Sequence, residues 1–130
     1  MFARNKTPVI KSLVAQGTSV KGDIAFADGL RIDGEVVGDV RASGDPSVLV
    51  VSETARVQGA LQAAHVIVNG VVDGPVHASQ LLELQPKARI TGNVHYQAVE
   101  MHQGAVVAGQ LCPNVLELDK PTLKLASNGQ

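Results

Sequence analysis

The chain has 130 residues, with 11 Lys and Arg against 12 Asp and Glu for a formal net charge of −1: one domain's worth of chain, without the basic excess that nucleic-acid binding asks for. Its longest purely aliphatic run, Val48-Leu49-Val50-Val51, is far short of a membrane span, and Lys11 interrupts the only apolar stretch near the start that resembles a signal peptide. The lone cysteine, Cys112, excludes an intrachain disulfide and a cysteine-rich zinc module, so the cytoplasm is the expected compartment.

Residues 1–17 read as a flexible tail. Arg4, Lys6 and Lys11 place three positive charges before the first acid, Asp23. Phe2 beside Met1 can enter a lipid interface, and Ile10, Leu13 and Val14 lie at i, i+3, i+4 spacing. Met1, Phe2, Arg4, Lys6 and Lys11 are therefore the candidate membrane contacts. Each basic residue near an anionic leaflet contributes about 1 kcal/mol. One tail binds weakly, whereas a polymer displaying many gains avidity.

Residues 18–112 are repetitive. The unit aliphatic-x-Gly-x-aliphatic occurs at Val20–Ile24, Val36–Val40, Val57–Leu61, Val72–Val76, Ile90–Val94 and Val107–Leu111. The central glycines, Gly22, Gly38, Gly59, Gly74, Gly92 and Gly109, are 16, 21, 15, 18 and 17 residues apart. The long gap holds Ser43-Gly44-Asp45-Pro46-Ser47, a small loop inserted into one repeat. Pairs of units form a weaker super-repeat, with Leu30–Val40 matching Val66–Val76 and Leu49–Leu61 matching Leu82–Val94. Within each unit the apolar residues alternate with period two, as in Val66, Val68, Val72 and Val76, which means short strands.

Valine fills 20 positions and glycine 13, with no Trp and only Phe2, Phe26 and Tyr96 as aromatic residues. A core without large rings is narrow and regular. An antiparallel meander would place Gly at two-residue hairpins, yet Gly34, Gly70 and Gly74 fall on the apolar register. A β-solenoid requires near-constant repeat length, which the glycine spacing supplies. The predicted fold is all-β: a single-stranded parallel β-helix of about six coils of about 17 residues with short disordered tails, a rod roughly 30 Å long at about 4.8 Å per coil. Val20, Val36, Val57, Val72, Ile90 and Val107 would stack on one inward line, and Ile24, Val40, Leu61, Val76, Val94 and Leu111 on another. Pro75 is expected near a corner, since a proline inside a paired sheet loses a ladder bond.

Residues 113–130 contain Pro113 and Pro121 and end in Ser127-Asn128-Gly129-Gln130, a second flexible tail. Neither flank reads as a helical cap. The end coils of a solenoid expose apolar cross-sections and unpaired backbone edges. Covering about 500 Å² of apolar surface per end would supply on the order of 10 kcal/mol before the entropy of association. The expected product is a filament. By position, the contact would use Val20, Ile24, Phe26 and Leu30 at one end and Val99, Met101, Val107 and Leu111 at the other.

The Met1-Phe2 start with nearby basic residues, Gly22-Asp23-Ile24, the run from Arg31 to Gly38, the run from Val68 to Gly74 and the run from Ala88 to Val94 together resemble the bactofilins. The resemblance covers residues 18–112 and the first few residues. It implies a right-handed parallel β-helix in a bacterial cytoskeletal protein. It further implies polymerisation without nucleotide through the terminal coils, attachment to the inner face of the cytoplasmic membrane, and scaffolding of cell-wall synthesis or morphogenesis proteins.

Other chemistry has little footing. His77 and His95 follow Val76 and Val94 in successive repeats, on a line that continues through Arg41, Gln62 and Cys112. With no carboxylate on that line, it reads as an outward polar ladder rather than a metal site. No nucleophile elbow, phosphate loop or dinucleotide fingerprint is present. Hexapeptide-repeat acyltransferases are also solenoids, but their six-residue register breaks at the 15- and 21-residue gaps. No catalytic residue, metal, cofactor or nucleic acid is expected, and a solenoid enzyme or a monomeric binding module are the alternatives to the filament.

Overall fold

The computed structural model describes residues 9–114. Thirteen strands follow one another: β1 (Ser12–Val14), β2 (Ser19–Lys21), β3 (Ile24–Ile32), β4 (Glu35–Val37), β5 (Val40–Val51), β6 (Arg56–Gln58), β7 (Leu61–Val68), β8 (Val71–Asp73), β9 (Val76–Leu84), β10 (Arg89–Thr91), β11 (Val94–Met101), β12 (Val106–Ala108) and β13 (Leu111–Pro113). Even-numbered strands form a six-stranded sheet and odd-numbered strands a seven-stranded one, and every pairing is parallel. Each strand therefore pairs with the strand two places on, as a wound chain must.

The long odd strands turn a corner midway. In β7 the adjacent Ala63 and Ala64 are both buried, so the inward phase flips there and the register slips between Ala63 and His65. Equivalent slips occur in the other long pairs. The seven-stranded sheet thus supplies two faces and the six-stranded sheet a third. Counted in threes, the faces close into six coils, which is the β-solenoid of the sequence reading. In the 21-residue interval the extra residues widen this same corner, and the buried Ser47 closes it by accepting the Ala64 N–H at 2.9 Å.

Both predicted inward lines are realised. Val20, Val36, Val57, Val72, Ile90 and Val107 are register partners in succession. So are Ile24, Val40, Leu61, Val76, Val94 and Leu111. Small branched side chains repeat at each level, so every methyl group meets a like one a strand spacing away.

The repeated glycine has a steric cause. Gly38, Gly59, Gly74 and Gly92 adopt φ between +139° and +152°, and a Cβ on any of them would strike the carbonyl oxygen of the glycine one coil below. An L side chain resists that conformation, and the neighbouring coil leaves it no room. The next residue carries a second ladder: Asp39 N–H donates to Asp23 Oδ1 (2.9 Å), Ala60 N–H to Asp39 Oδ1 (3.0 Å) and Gln110 N–H to Asn93 Oδ1 (3.0 Å). Pro75 occupies this corner position, between β8 and β9. It stands above Ala60, which offers no side-chain acceptor, so its missing N–H forfeits nothing.

The two-coil super-repeat also has a physical basis. Turns at Ala15–Thr18, Ser52–Ala55 and Gln85–Ala88 each close with an N–H to carbonyl bond of 3.0 Å. The alternate corners, at Gly34 and Gly70, are tighter, and a Cβ there would strike the carbonyls of Thr18 and Ser52 in the turn below. Long turn and short corner alternate through the first five coils; the sixth, His102–Ala105, is again a turn, closed at 3.2 Å.

One boundary moves. The segment assigned to the N-terminal tail contains β1, paired with the end of β3 (Ser12↔Leu30, Val14↔Ile32), and Lys11 N–H reaches Gly29 O at 3.1 Å. The solenoid begins at residue 12 because Val14 supplies the inward contact of the first coil, 8% exposed.

Candidate self-assembly interface

The inward lines show what a solenoid end is. Leu49, Val66 and Leu82 are register neighbours with 0% exposure; the line then reaches Val99 at 36%. Two residues along, Val51, Val68 and Leu84 are at 0% and Met101 at 49%. On the other face of the seven-stranded sheet Val94 is at 0% and Leu111 at 47%. Residue type hardly changes along these lines; what changes is that the described residues provide no coil above. Val107 is half-buried on the remaining face. All four residues expected at this end thus sit on its open cross-section, each with an unpaired strand edge beside it among the described residues. Val106, on the outward side of β12, is also 47% exposed, and the inward alternation carries no signal for it.

The N-terminal end is more closed. Val20 and Ile24 are half-buried on the first coil. Phe26 also belongs to that coil, but its ring is drawn into the core and is 7% exposed. Leu30, 3% exposed, does not reach the end, because β1 lies over it. Among the candidate membrane contacts, Met1, Phe2, Arg4 and Lys6 lie outside the described residues. Lys11 sits at the rim, with Nζ 2.9 Å from Asp28 Oδ2 and a side chain 62% exposed.

The outward ladder is present as expected: Arg41, Gln62, His77, His95 and Cys112 are successive register partners. The rings of His77 and His95 stack with centroids 4.5 Å apart and planes 3° from parallel. Burial, and then the charge of His95, hold the His77 imidazolium below its ordinary pKa. Cys112 is half-buried. On another face, Asp33 is held below the ordinary carboxylate range by the Ser52 hydroxyl, opposed in part by burial, and by Arg31, whose Nε lies 3.0 Å from Oδ1. A cluster of Glu83, Glu100 and His102, with His65 alongside, was missed. The available signal was the 17-residue interval from Glu83 to Glu100, one coil length. Among the described residues there is no helix long and apolar enough to cross a membrane.

The described residues define a parallel β-solenoid whose last coil exposes an apolar cross-section, a surface that solenoids cover with a cap or a neighbour. The sequence matches the family model of the bactofilins, described as polymer-forming cytoskeletal proteins, over residues 12–112. Among solved structures, the chain is similar to the bactofilin of Thermus thermophilus, reconstructed by cryo-EM as double helical filaments. The two share 31% identity with a TM-score of 0.68, over 78% of this chain and 99% of that one. A search of curated proteins finds no significant match. The chain belongs to the bactofilin family, whose members are structural, polymer-forming proteins of the cytoskeleton.

Proposed function

We propose that this bactofilin assembles end on end without nucleotide, through Val99, Met101, Val107 and Leu111 at one end and Val20, Ile24 and the Phe26 edge at the other. The observation that carries this is the inward line that passes from 0% exposure at Leu82 to 36% at Val99, where the coils of the described residues end. Apolar burial with strand edges to pair is the same interaction that joins coils within the chain, and needs no bound nucleotide. The filament presents its N-terminal segments, with Met1, Phe2, Arg4, Lys6 and Lys11, to the inner face of the cytoplasmic membrane. There it scaffolds cell-wall synthesis or morphogenesis proteins. The double helical filaments of the Thermus relative support self-assembly as the underlying activity.

Two variants separate the parts of this proposal. Met101→Arg is expected to stay in the supernatant under conditions that pellet the wild type, with an unchanged β-sheet circular dichroism spectrum. Deleting residues 1–8 is expected to leave polymer pelleting intact while abolishing flotation with vesicles of phosphatidylglycerol. Equal pelleting of Met101→Arg overturns the end contact, and equal flotation of the deletion overturns the membrane role of the tail.

A further inference from the structure

Glu83 on β9 and Glu100 on β11 are direct register partners. Both face outward, because their neighbours Leu82, Leu84, Val99 and Met101 occupy the inward lines. Like charges directly opposite one another on paired strands are destabilising. Four other surface carboxylates on the solenoid have a Lys or Arg partner: Asp28 has Lys11, Asp33 has Arg31, Asp39 has Arg41 and Glu53 has Lys87. Around Glu83, by contrast, the described cationic candidates are imidazoles. His102 Nε2 lies 3.8 Å from Glu83 Oε2, and His65 Nε2 lies 3.9 Å from Oε1.

Those separations are too long for hydrogen bonds. They are close to the spacing of two ligands around one ion, about 3.4 Å for a tetrahedral site with bonds of about 2.1 Å. One carboxylate oxygen from each glutamate and a ring nitrogen of His102 all lie within 4.8 Å of one another. A second, separate observation is the His65 ring. Its Nε2 is sealed from solvent and makes no hydrogen bond. A buried nitrogen without a partner is an unmet cost unless something binds it. Gln85 Nε2 donates to Glu83 Oε2 at 3.0 Å, orienting the carboxylate as outer-shell partners of metal ligands do.

We propose that Glu83, Glu100 and His102 form a divalent-metal site, with His65 as a fourth donor, selective for a borderline cation such as Zn²⁺. Two carboxylates neutralise the ion, and imidazole nitrogens favour zinc over calcium or magnesium. The ion ties β11 to β9 and β7 at the coil that carries Val99 and Met101. The site differs from the His77–His95 ladder, which has no carboxylate in its line, and it does not depend on the assembly reading.

The test is equilibrium dialysis of the full chain against Zn²⁺, with bound metal measured by mass spectrometry, alongside the absorption spectrum of the Co²⁺ form. Wild type is expected to retain zinc. Glu83→Gln and His102→Gln are each expected to weaken retention by about tenfold or more, with their circular dichroism unchanged. His77→Gln is expected to bind as wild type does. The cobalt spectrum is expected to show the intense visible bands of a four-coordinate site, weakened in His65→Gln. Zinc retention by Glu83→Gln equal to wild type, or its loss in His77→Gln instead, overturns the assignment. So does failure of the wild type to bind zinc at all.

Discussion

Leu61 and Leu111 stand on the same inward line, fifty residues and three coils apart. Leu61 has a coil on either side and is 0% exposed; among the described residues Leu111 has a coil on one side only and is 47% exposed. The same side chain in the same register is core in one place and, in the proposed assembly, a contact surface in the other. In a solenoid each coil contacts only its neighbours. The difference between stability and assembly is therefore one of position along the rod, not of chemistry.

The strongest challenge to that comparison is to put the same charge at both sites. Leu61→Arg buries an unpaired guanidinium between two coils and should cost about 5 kcal/mol or more, enough to unfold the chain. Leu111→Arg should leave the circular dichroism spectrum and melting temperature nearly unchanged and abolish polymer sedimentation. Phe26→Arg is expected to fall between them, since its ring is inside the first coil. If Leu61→Arg stayed folded, the coils would not be the packing units described.

Glycine sharpens the same contrast. Gly59 and Gly22 both have positive φ, +152° and +133°. A Cβ at Gly59 strikes the Gly38 carbonyl, whereas one at Gly22 meets nothing within 4 Å. Gly59→Ala should lose more than about 3 kcal/mol and Gly22→Ala only the conformational cost, about 1 kcal/mol. Denaturant melts of the two variants compare them directly, and equal losses would mean that φ alone, not the coil below, demands glycine.

A smaller effect concerns pH. The folded state holds the His77 proton less tightly than the unfolded chain, through burial first and the charge of His95 second. That contribution to stability is fully present above the ordinary histidine pKa of about 6.5 and is lost as pH falls through it toward the folded value. The wild type should therefore melt lower at pH 5.5 than at pH 7.5, with a smaller drop in His77→Gln. The smallest effect belongs to the exposed pair of Lys87 and Glu53, 3.0 Å apart with side chains 68% and 53% exposed. Lys87→Ala should cost less than about 1 kcal/mol by chemical denaturation.

Much of this architecture is legible because the inward residues and the corner glycine repeat once per coil, and stacking turns that repeat into register. β1 is not legible, since three residues with one inward Val14 produce no alternation and lack the glycine unit. Its absence from the sequence reading is why Leu30 was expected at an end that β1 covers. The metal cluster divides in the same way. Glu83 and Glu100 lie one coil length apart, so their pairing can be read. His102 and His65 join them diagonally, His102 from the turn after β11 and His65 across a line set by the corner slip in β7, and neither offset follows from the repeat.

The most direct test of end-on stacking is electron microscopy of the purified full chain at high concentration with nucleotide removed. Continuous filaments with a rise per subunit near six strand spacings, roughly 30 Å, are the expected result. Isolated particles under those conditions, or filaments whose solenoid axes lie across the fibre rather than along it, would contradict the account.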